Sequence, residues 1–320
     1  MIATLAQALP VTLTSSRATH DGGPMLRLGP AALRDRTLRS RMKRDGFRHC
    51  VLALPGGGQV AAWVGGAGPA LLLLGGFGAD ALWQWHAVAP QLARNHRVIA
   101  PDLLWFGESH GGSWAPDLDA QVRAMGALLD AFVPAGRRVD VAGLSYGGLV
   151  AWAMAAAMPQ RVDRLVLLGT PGDVFGAADL DALCQRFAIR HPAELLLPHE
   201  VEGVRRLIAV GFHRPPAVPG FILRDVLNLH FRDHVAEKRA LIDDLLGMLT
   251  GPVPAIDTDR HEALLLWGRH DAVFPIEIGH RLHTRLGRYA RLQVLDDAAH
   301  APPQERPREV AAAIGRFLAG

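Results

Sequence analysis

The chain predicts an α/β fold built on a mostly parallel sheet. Three observations carry that expectation. Short continuous apolar runs, such as "PALLLL" at 69–74, read as strands buried on both faces. Strand-like and helix-like segments alternate at the spacing of right-handed βαβ units between residues 69 and 170, and again from 262 onward. Between 173 and 261 the alternation fails and proline-broken helical segments replace it.

Taken in order, residues 1–46 read as a polar lead-in punctuated by Gly and Pro, with one basic helix. "FRHCVLALP", the turn "GGG" and "QVAAWVGG" then form an antiparallel hairpin. After "PALLLL" come the Gly-rich loop "GGFGAD", a helix near 81–94 and the strand "HRVIAPD" at 96–102. A helix over Leu118–Phe132, the strand "RRVDVAGL" at 137–144, a helix over Tyr146–Met158 and the strand "VDRLVLLGT" at 162–170 follow. The segments "LDALCQRFAI", "PAELLLP", "VEGVRRLIAV" and "FILRDVLNLHFRDHVAEKRALIDDLLGML" are helical. The sheet then resumes with "EALLLWG" (262–268), a helix near 276–287, "ARLQVLDD" (290–297) and a helix near 306–318. The expected division is a lead-in at 1–46, a core at 47–172 and 262–320, and a helical cap at 173–261. Open α/β sheets bind ligands at the carboxyl ends of their strands, so such a cap would roof the site.

Composition sets bounds on function. With 49% apolar and 20% charged residues, the chain can bury a globular core. No apolar run reaches the roughly 18 residues a membrane span needs. No Lys or Arg precedes the first apolar stretch, which does not read as a signal peptide, so the expected location is cytoplasmic. Cys50 and Cys184 lie far apart without metal-ligand spacing; two free thiols are the simplest account, with a disulfide left open. The net charge of +3 hides a cluster at 34–48, which holds seven basic and two acidic residues. It reads as a solvated basic helix. The sharper alternative is peripheral contact with an anionic membrane surface or an acidic partner. Nucleic acid is not an expected partner, because no binding motif accompanies the cluster.

The chemistry centres on Gly143-Leu144-Ser145-Tyr146-Gly147, which fits G-x-S-x-G between a strand and a helix. A serine on that sharp turn is held out at the top of the sheet, and its neighbours two positions away must be small. A serine hydroxyl is a poor nucleophile until a base takes its proton, and the base must be oriented by a third group. "LLLWGRHDAVFP" places Asp271 just past a strand, and "VLDDAAHAPPQERP" places His300 in the loop after the next one. Ser145, Asp271 and His300 thus follow the order nucleophile, acid, base at successive strand ends. Asp173 is the alternative acid, and His270 lies in the wrong loop to be the base. Asp102 and Glu108 read as braces of the "PDLLWFGES" loop. The histidines of 173–261 show no ligand spacing, so neither a metal nor a cofactor is expected.

These segments, with "ALLLLGGFGADALWQW" and "VAGLSYGGLVAWAMAAAMP", resemble the landmark segments of the α/β-hydrolase superfamily from about residue 50 onward. Within it, the chain looks most like capped bacterial serine esterases and lipases. The resemblance implies an eight-stranded sheet with the cap inserted after the sixth strand. It implies an oxyanion hole made by the backbone N–H groups of Phe77 and Tyr146. The family's usual histidine in the oxyanion loop is Gly75 here, which removes a side chain that normally shapes that loop. Gly76, Trp105 and Phe106 are the expected substrate-pocket residues. The implied activity is cleavage of a small-molecule carboxylic ester with an apolar acyl group. A carbon–carbon bond hydrolase, lactonase or amidase would use the same triad, and a non-catalytic binding protein is the third reading. Serine at 145 argues against dehalogenases and epoxide hydrolases, which the family builds around an aspartate there. The oligomeric state is not specified.

Overall fold

The computed structural model describes residues 11–12, 29–251, 253, 255–257 and 260–320. Apart from Val11 and Thr12, the lead-in before Gly29 lies outside the described residues. The strands are β1 (Val11–Thr12), β2 (Arg48–Ala53), β3 (Gln59–Gly65), β4 (Ala70–Leu74), β5 (Arg97–Pro101), β6 (Val139–Leu144), β7 (Val162–Leu168), β8 (Ala263–Gly268) and β9 (Ala290–Leu295). They form one sheet in the order β1-β2-β3-β5-β4-β6-β7-β8-β9. Pairing is antiparallel from β1 through β3 to β5 and parallel from β5 to β9. The eight strands expected from the sequence all form. The two-residue β1 adds a ninth at the edge.

The parallel strands are buried on both faces, as their apolar runs require. Alternate residues feed two cores. Leu72, Leu74, Val141, Leu165 and Leu167 pack on one side, and Leu71, Leu73, Ala142, Val166 and Leu168 on the other. The helices that cover the sheet are α1 (Pro30–Arg44), α2 (Ala81–Trp85), α3 (Ala89–Leu92), α4 (Leu118–Phe132) and α5 (Tyr146–Ala157). The helix expected near 81–94 is split into α2 and α3, because Pro90 lacks the N–H a continuous helix would use and instead opens α3.

Among the described residues, five helices stand between β7 and β8: α6 (Ala177–Phe187), α7 (Ala193–Leu196), α8 (Val201–Gly211), α9 (Gly220–His230) and α10 (Val235–Leu249). Val204, Leu223, Leu227 and Phe231 give α8 and α9 a small core of their own. The chain turns between α9 and α10 at His234, which is left-handed (φ 56°). There the buried Lys238 ammonium donates to the carbonyls of His230 and Asp233, both at 2.9 Å. Burial pushes that ammonium down to about 8. After β8 come α11 (Ile276–Leu286), β9, α12 (Pro302–Glu305) and α13 (Pro307–Leu318).

The basic helix α1 is more than a solvated element. It buries Ala31, Ala32, Leu38 and Met42 and packs on α9 and α2. Asp225 of α9 accepts the N–H groups of Ala31 (2.6 Å) and Ala32 (3.4 Å), capping the otherwise orphaned start of α1. No described helix is long and apolar enough to cross a membrane. Both cysteines are free thiols.

Candidate active site

The strand order reverses direction at β4, whose two neighbours are β5 on one side and β6 on the other. The loops leaving β4 and β6 therefore diverge and open a crevice at their carboxyl ends. Ser145 follows β6 at this point, with φ 52° and ψ −116°. That conformation is costly for a residue with a side chain, and the surrounding contacts hold it. A Cβ on Gly143 would sit 2.3 Å from the Gly147 carbonyl oxygen, and one on Gly147 would sit 2.5 Å from that of Gly75. Only hydrogen fits at either position. A Cβ on Gly148 would meet the Thr170 side chain at 2.4 Å, so α5 lies close against the loop after β7.

The structure brings Ser145, His300 and Asp271 together. His300 Nε2 lies 2.9 Å from Ser145 Oγ, and its Nδ1 lies 2.8 Å from Asp271 Oδ2. A carboxylate accepts, so the Nδ1–H donates to Asp271 and Nε2 is left to accept the serine proton. Asp271 is held in turn, its Oδ1 accepting the N–H groups of Val273 and Phe274, both at 2.9 Å. Its side chain is fully buried. The Phe274 ring meets the imidazole edge-on at 5.6 Å. Asp173, the alternative acid, is instead ion-paired with Arg285 at 3.1 Å. His270 stacks on His213 at 3.7 Å.

The N–H groups of Phe77 and Tyr146 donate to no acceptor among the described residues. Tyr146 opens α5, so its N–H belongs to the free donors of a helix start. The Phe77 ring rests against Tyr146 (4.9 Å) and Phe106 (5.0 Å, edge-on). The loop that carries Phe77 is braced by a residue absent from the sequence reading, Gln84, which is 4% exposed. Its Oε1 accepts the Gly76 N–H at 2.7 Å. Its Nε2 donates to the carbonyls of Gly76 (3.0 Å) and Ala79 (2.6 Å). A Cβ on Gly75 would lie 2.8 Å from Gln84 Nε2, so the glycine and the glutamine occupy one space between them.

Behind the loop, Asp80 and Asp102 form a buried carboxyl pair. Asp80 accepts the Trp83 N–H at 2.8 Å, and Asp102 accepts those of Ala81 (2.9 Å) and Glu108 (3.1 Å). Burial raises Asp102 to about 6. Burial also raises Asp80, helped by the neighbouring Asp102 charge. Glu108 pairs with Arg39 at 2.9 Å, so both acids brace their loop as expected. A second unforeseen residue, Glu305, ties the His300 loop to the helical insertion. It accepts Ala299 N–H at 2.7 Å and His213 N–H at 2.6 Å.

A cavity of about 700 Å³ reaches Ser145 and His300. Gly76 lines it, with Trp83 and mainly apolar residues of α8 and α9. Trp105 and Phe106 do not line it, which corrects that expectation. Both rings are buried in the core, at 3% and 5% exposure, and Phe106 supports Phe77 from behind. A second, apolar recess of about 50 Å³ adjoins the other side of Ser145, between Phe77, Leu149, Phe274 and the insertion. Among the described residues, no cluster of three or more His, Cys, Asp or Glu could hold a metal.

A model of the alpha/beta hydrolase family matches residues 70–313. The chain is 31% identical over 264 residues to a 2-hydroxy-6-oxo-2,4-heptadienoate hydrolase of Pseudomonas putida, covering 80% of this chain and 91% of that protein. It is also 31% identical over 274 residues to the dihydrolipoyllysine-residue acetyltransferase component of an acetoin cleaving system, again from Pseudomonas putida. That match covers 82% of this chain and 67% of the relative. Among solved structures, a bacterial membrane phospholipase A superposes with a TM-score of 0.74 at 24% identity, over 91% of this chain and 92% of that one. This last likeness is one of fold.

Proposed function

The chain belongs to the alpha/beta hydrolase family, and on that footing we propose that it is a serine hydrolase cleaving a carboxylic ester with a large apolar group. The observation that carries this is the Ser145–His300–Asp271 relay opening into an apolar cavity of about 700 Å³. His300 Nε2 takes the Ser145 proton as Oγ attacks the carbonyl carbon. The developing oxyanion is held by the Phe77 and Tyr146 N–H groups. Asp271 keeps the imidazole in the tautomer that can accept, and it stabilises the charged ring. The C–O bond then breaks, and the leaving alcohol takes the proton from His300. A water, deprotonated by His300, attacks the acyl-enzyme, and the acid departs as Ser145 regains its proton. The helices between β7 and β8 act as a cap that shapes the acyl site.

A second reading is hydrolysis of a carbon–carbon bond, favoured by the 31% identity to the heptadienoate hydrolase. An anionic dienone acid asks for a cation in the cavity wall that receives its carboxylate. Arg34 is the one Arg or Lys in the lining among the described residues, and it is exposed to water. This observation favours the ester. The test is to treat the folded protein with a fluorophosphonate, locate the adduct, and run an acyl-length series beside dienone acids. Absence of label on Ser145 would sink the serine-hydrolase reading. Turnover of dienone acids alone would replace the ester with the carbon–carbon bond.

A further inference from the structure

The cavity lining is buried or half-buried except at one end. Its exposed members are Pro30, Arg34, Pro216, Ala217 and Pro219. The mouth therefore opens between the first turn of α1 and the connection from α8 to α9. After His213 and Arg214, the end of that connection and the first residues of α9 read Pro215-Pro216-Ala217-Val218-Pro219-Gly220-Phe221, a run without one charged or hydrogen-bonding side chain. Phe221 is 66% exposed, and Leu33 of α1 is 64% exposed. The two flank one junction. Asp225, one turn after Phe221 on the same face of α9, caps α1 at Ala31, two residues before Leu33. Consecutive apolar residues facing water at a cavity mouth mark a binding surface.

The same elements carry exposed arginines: Arg34 and Arg36 on α1, Arg205 on α8, Arg214 before the connection and Arg224 on α9. Two of these are ion-paired, Arg205 with Glu202 at 3.2 Å and Arg214 with Asp297 at 3.5 Å, which leaves Arg34 and Arg224 outside those pairs. Asp35 turns to Arg39 at 2.7 Å, and Asp225 caps α1. An apolar mouth set among arginines complements a surface that is anionic outside and apolar beneath. Its three prolines offer no N–H for a pairing strand or a polar partner.

We propose that this mouth docks on an anionic phospholipid bilayer. Leu33, Phe221 and the 215–219 run enter the interfacial layer, and Arg34 and Arg224 meet headgroup phosphates. An apolar ester then passes from lipid to Ser145 without crossing water; this last step rests on the ester reading, whereas the docking does not.

The experiment uses the full chain with Ser145→Ala, so that turnover cannot alter the lipid. Sedimentation is measured with vesicles of phosphatidylcholine alone and mixed with phosphatidylglycerol, at low and high salt. The mixed vesicles should bind about tenfold tighter than the neutral ones, with the gain lost at high salt. Leu33→Asp with Phe221→Asp should weaken that binding about tenfold. In the Ser145 background, the same pair should leave the rate on a short water-soluble ester unchanged. Should that pair fail to fold, Arg224→Glu alone should reduce the preference for the mixed vesicles. Failure to bind mixed vesicles would overturn the proposal, as would undiminished binding by the variants. So would a dimer in solution that Leu33→Asp and Phe221→Asp dissociate, since the face would then join two copies. Vesicle binding without hydrolysis of any ester would sink the ester reading and leave the docking standing.

Discussion

Gln84 is the residue whose substitution separates catalytic positioning from simple bracing. Its amide makes three hydrogen bonds to the loop that carries Phe77, at 2.7, 3.0 and 2.6 Å. Gln84→Ala removes all three and leaves the buried Gly76 N–H without its acceptor, at a cost of about 1–3 kcal/mol in stability. The effect on catalysis has a ceiling. Losing an oxyanion donor outright costs about 2.7–4 kcal/mol, or roughly 10²–10³ in kcat. A Phe77 N–H that is loosened rather than absent should forfeit part of this, so we expect kcat to fall about 10–100-fold with KM within about twofold. Steady-state kinetics on a soluble ester measure the split. The inhibition constant of a boronic acid that mimics the tetrahedral intermediate should rise in step with the fall in kcat. Gly75→His alone should also be damaging, because its Cβ would lie 2.8 Å from Gln84 Nε2. Combined with Gln84→Ala it should recover activity, since the imidazole then occupies the vacated space. A Gln84→Ala enzyme with a lowered Tm and wild-type kcat would refute the argument and leave Gln84 a brace only.

Other expectations follow from the same geometry. The Asp80–Asp102 pair has raised folded-state values, so the fold favours its protonated form. For Asp102 that stabilisation is complete below the unfolded carboxyl value of about 3.9 and is lost as pH rises through about 6, and Asp80 shifts in the same direction. Tm should therefore drop between pH 5 and pH 8, and Asp80→Asn, which keeps an acceptor for the Trp83 N–H, should flatten the profile; a drop unchanged by the substitution would exclude the pair as its source. Gly147→Ala would push a methyl to 2.5 Å from the Gly75 carbonyl oxygen, and should cost about 1–3 kcal/mol by thermal melting along with most of the activity. Glu305→Ala frees the N–H groups of Ala299 and His213 and should cost about 2 kcal/mol, with kcat falling as the His300 loop loosens. Unaltered kcat would confine Glu305 to stability.

Ser145, Asp271 and His300 were legible because each stands where a strand ends, and the order of strand ends is written in the chain. The apolar runs gave the strands for a similar reason, since burial on both faces leaves a continuous signature. Gln84, Glu305 and Asp225 left no such trace. They are ordinary polar residues, and Glu305 and Asp225 act across 92 and 194 positions of sequence. The aromatic residues of "PDLLWFGES" misled for a physical reason. Residue type speaks for burial, but not for whether a ring faces the cavity or the core. Trp105 sits at φ 68°, a turn geometry the sequence does not announce, and its ring lies against Gly111 in the interior.

The basic segment shows how far charge pattern alone carries. Its excess of arginine is plain in the sequence, and solvation is the economical reading. That reading misses that Ala31, Ala32, Leu38 and Met42 align on one side and fix the helix to α9 and α2. Once it is fixed there, Pro30, Ala31 and Arg34 become part of the cavity wall. Besides the loops after β8 and β9 that carry Val273 and His300, the space in front of Ser145 is thus bounded by three stretches distant in the chain: the segment after β4, the helices between β7 and β8, and α1. The Ser145–His300–Asp271 geometry depends on a local turn in which Gly143 and Gly147 admit no side chain. The substrate's shape depends on how those three stretches meet, and Asp225 sets one of the contacts. Asp225→Ala, which releases the start of α1 from α9, should therefore alter which long-chain ester is accepted while the relay stays intact, whereas changes at Gly143 or Gly147 should abolish turnover of every ester alike.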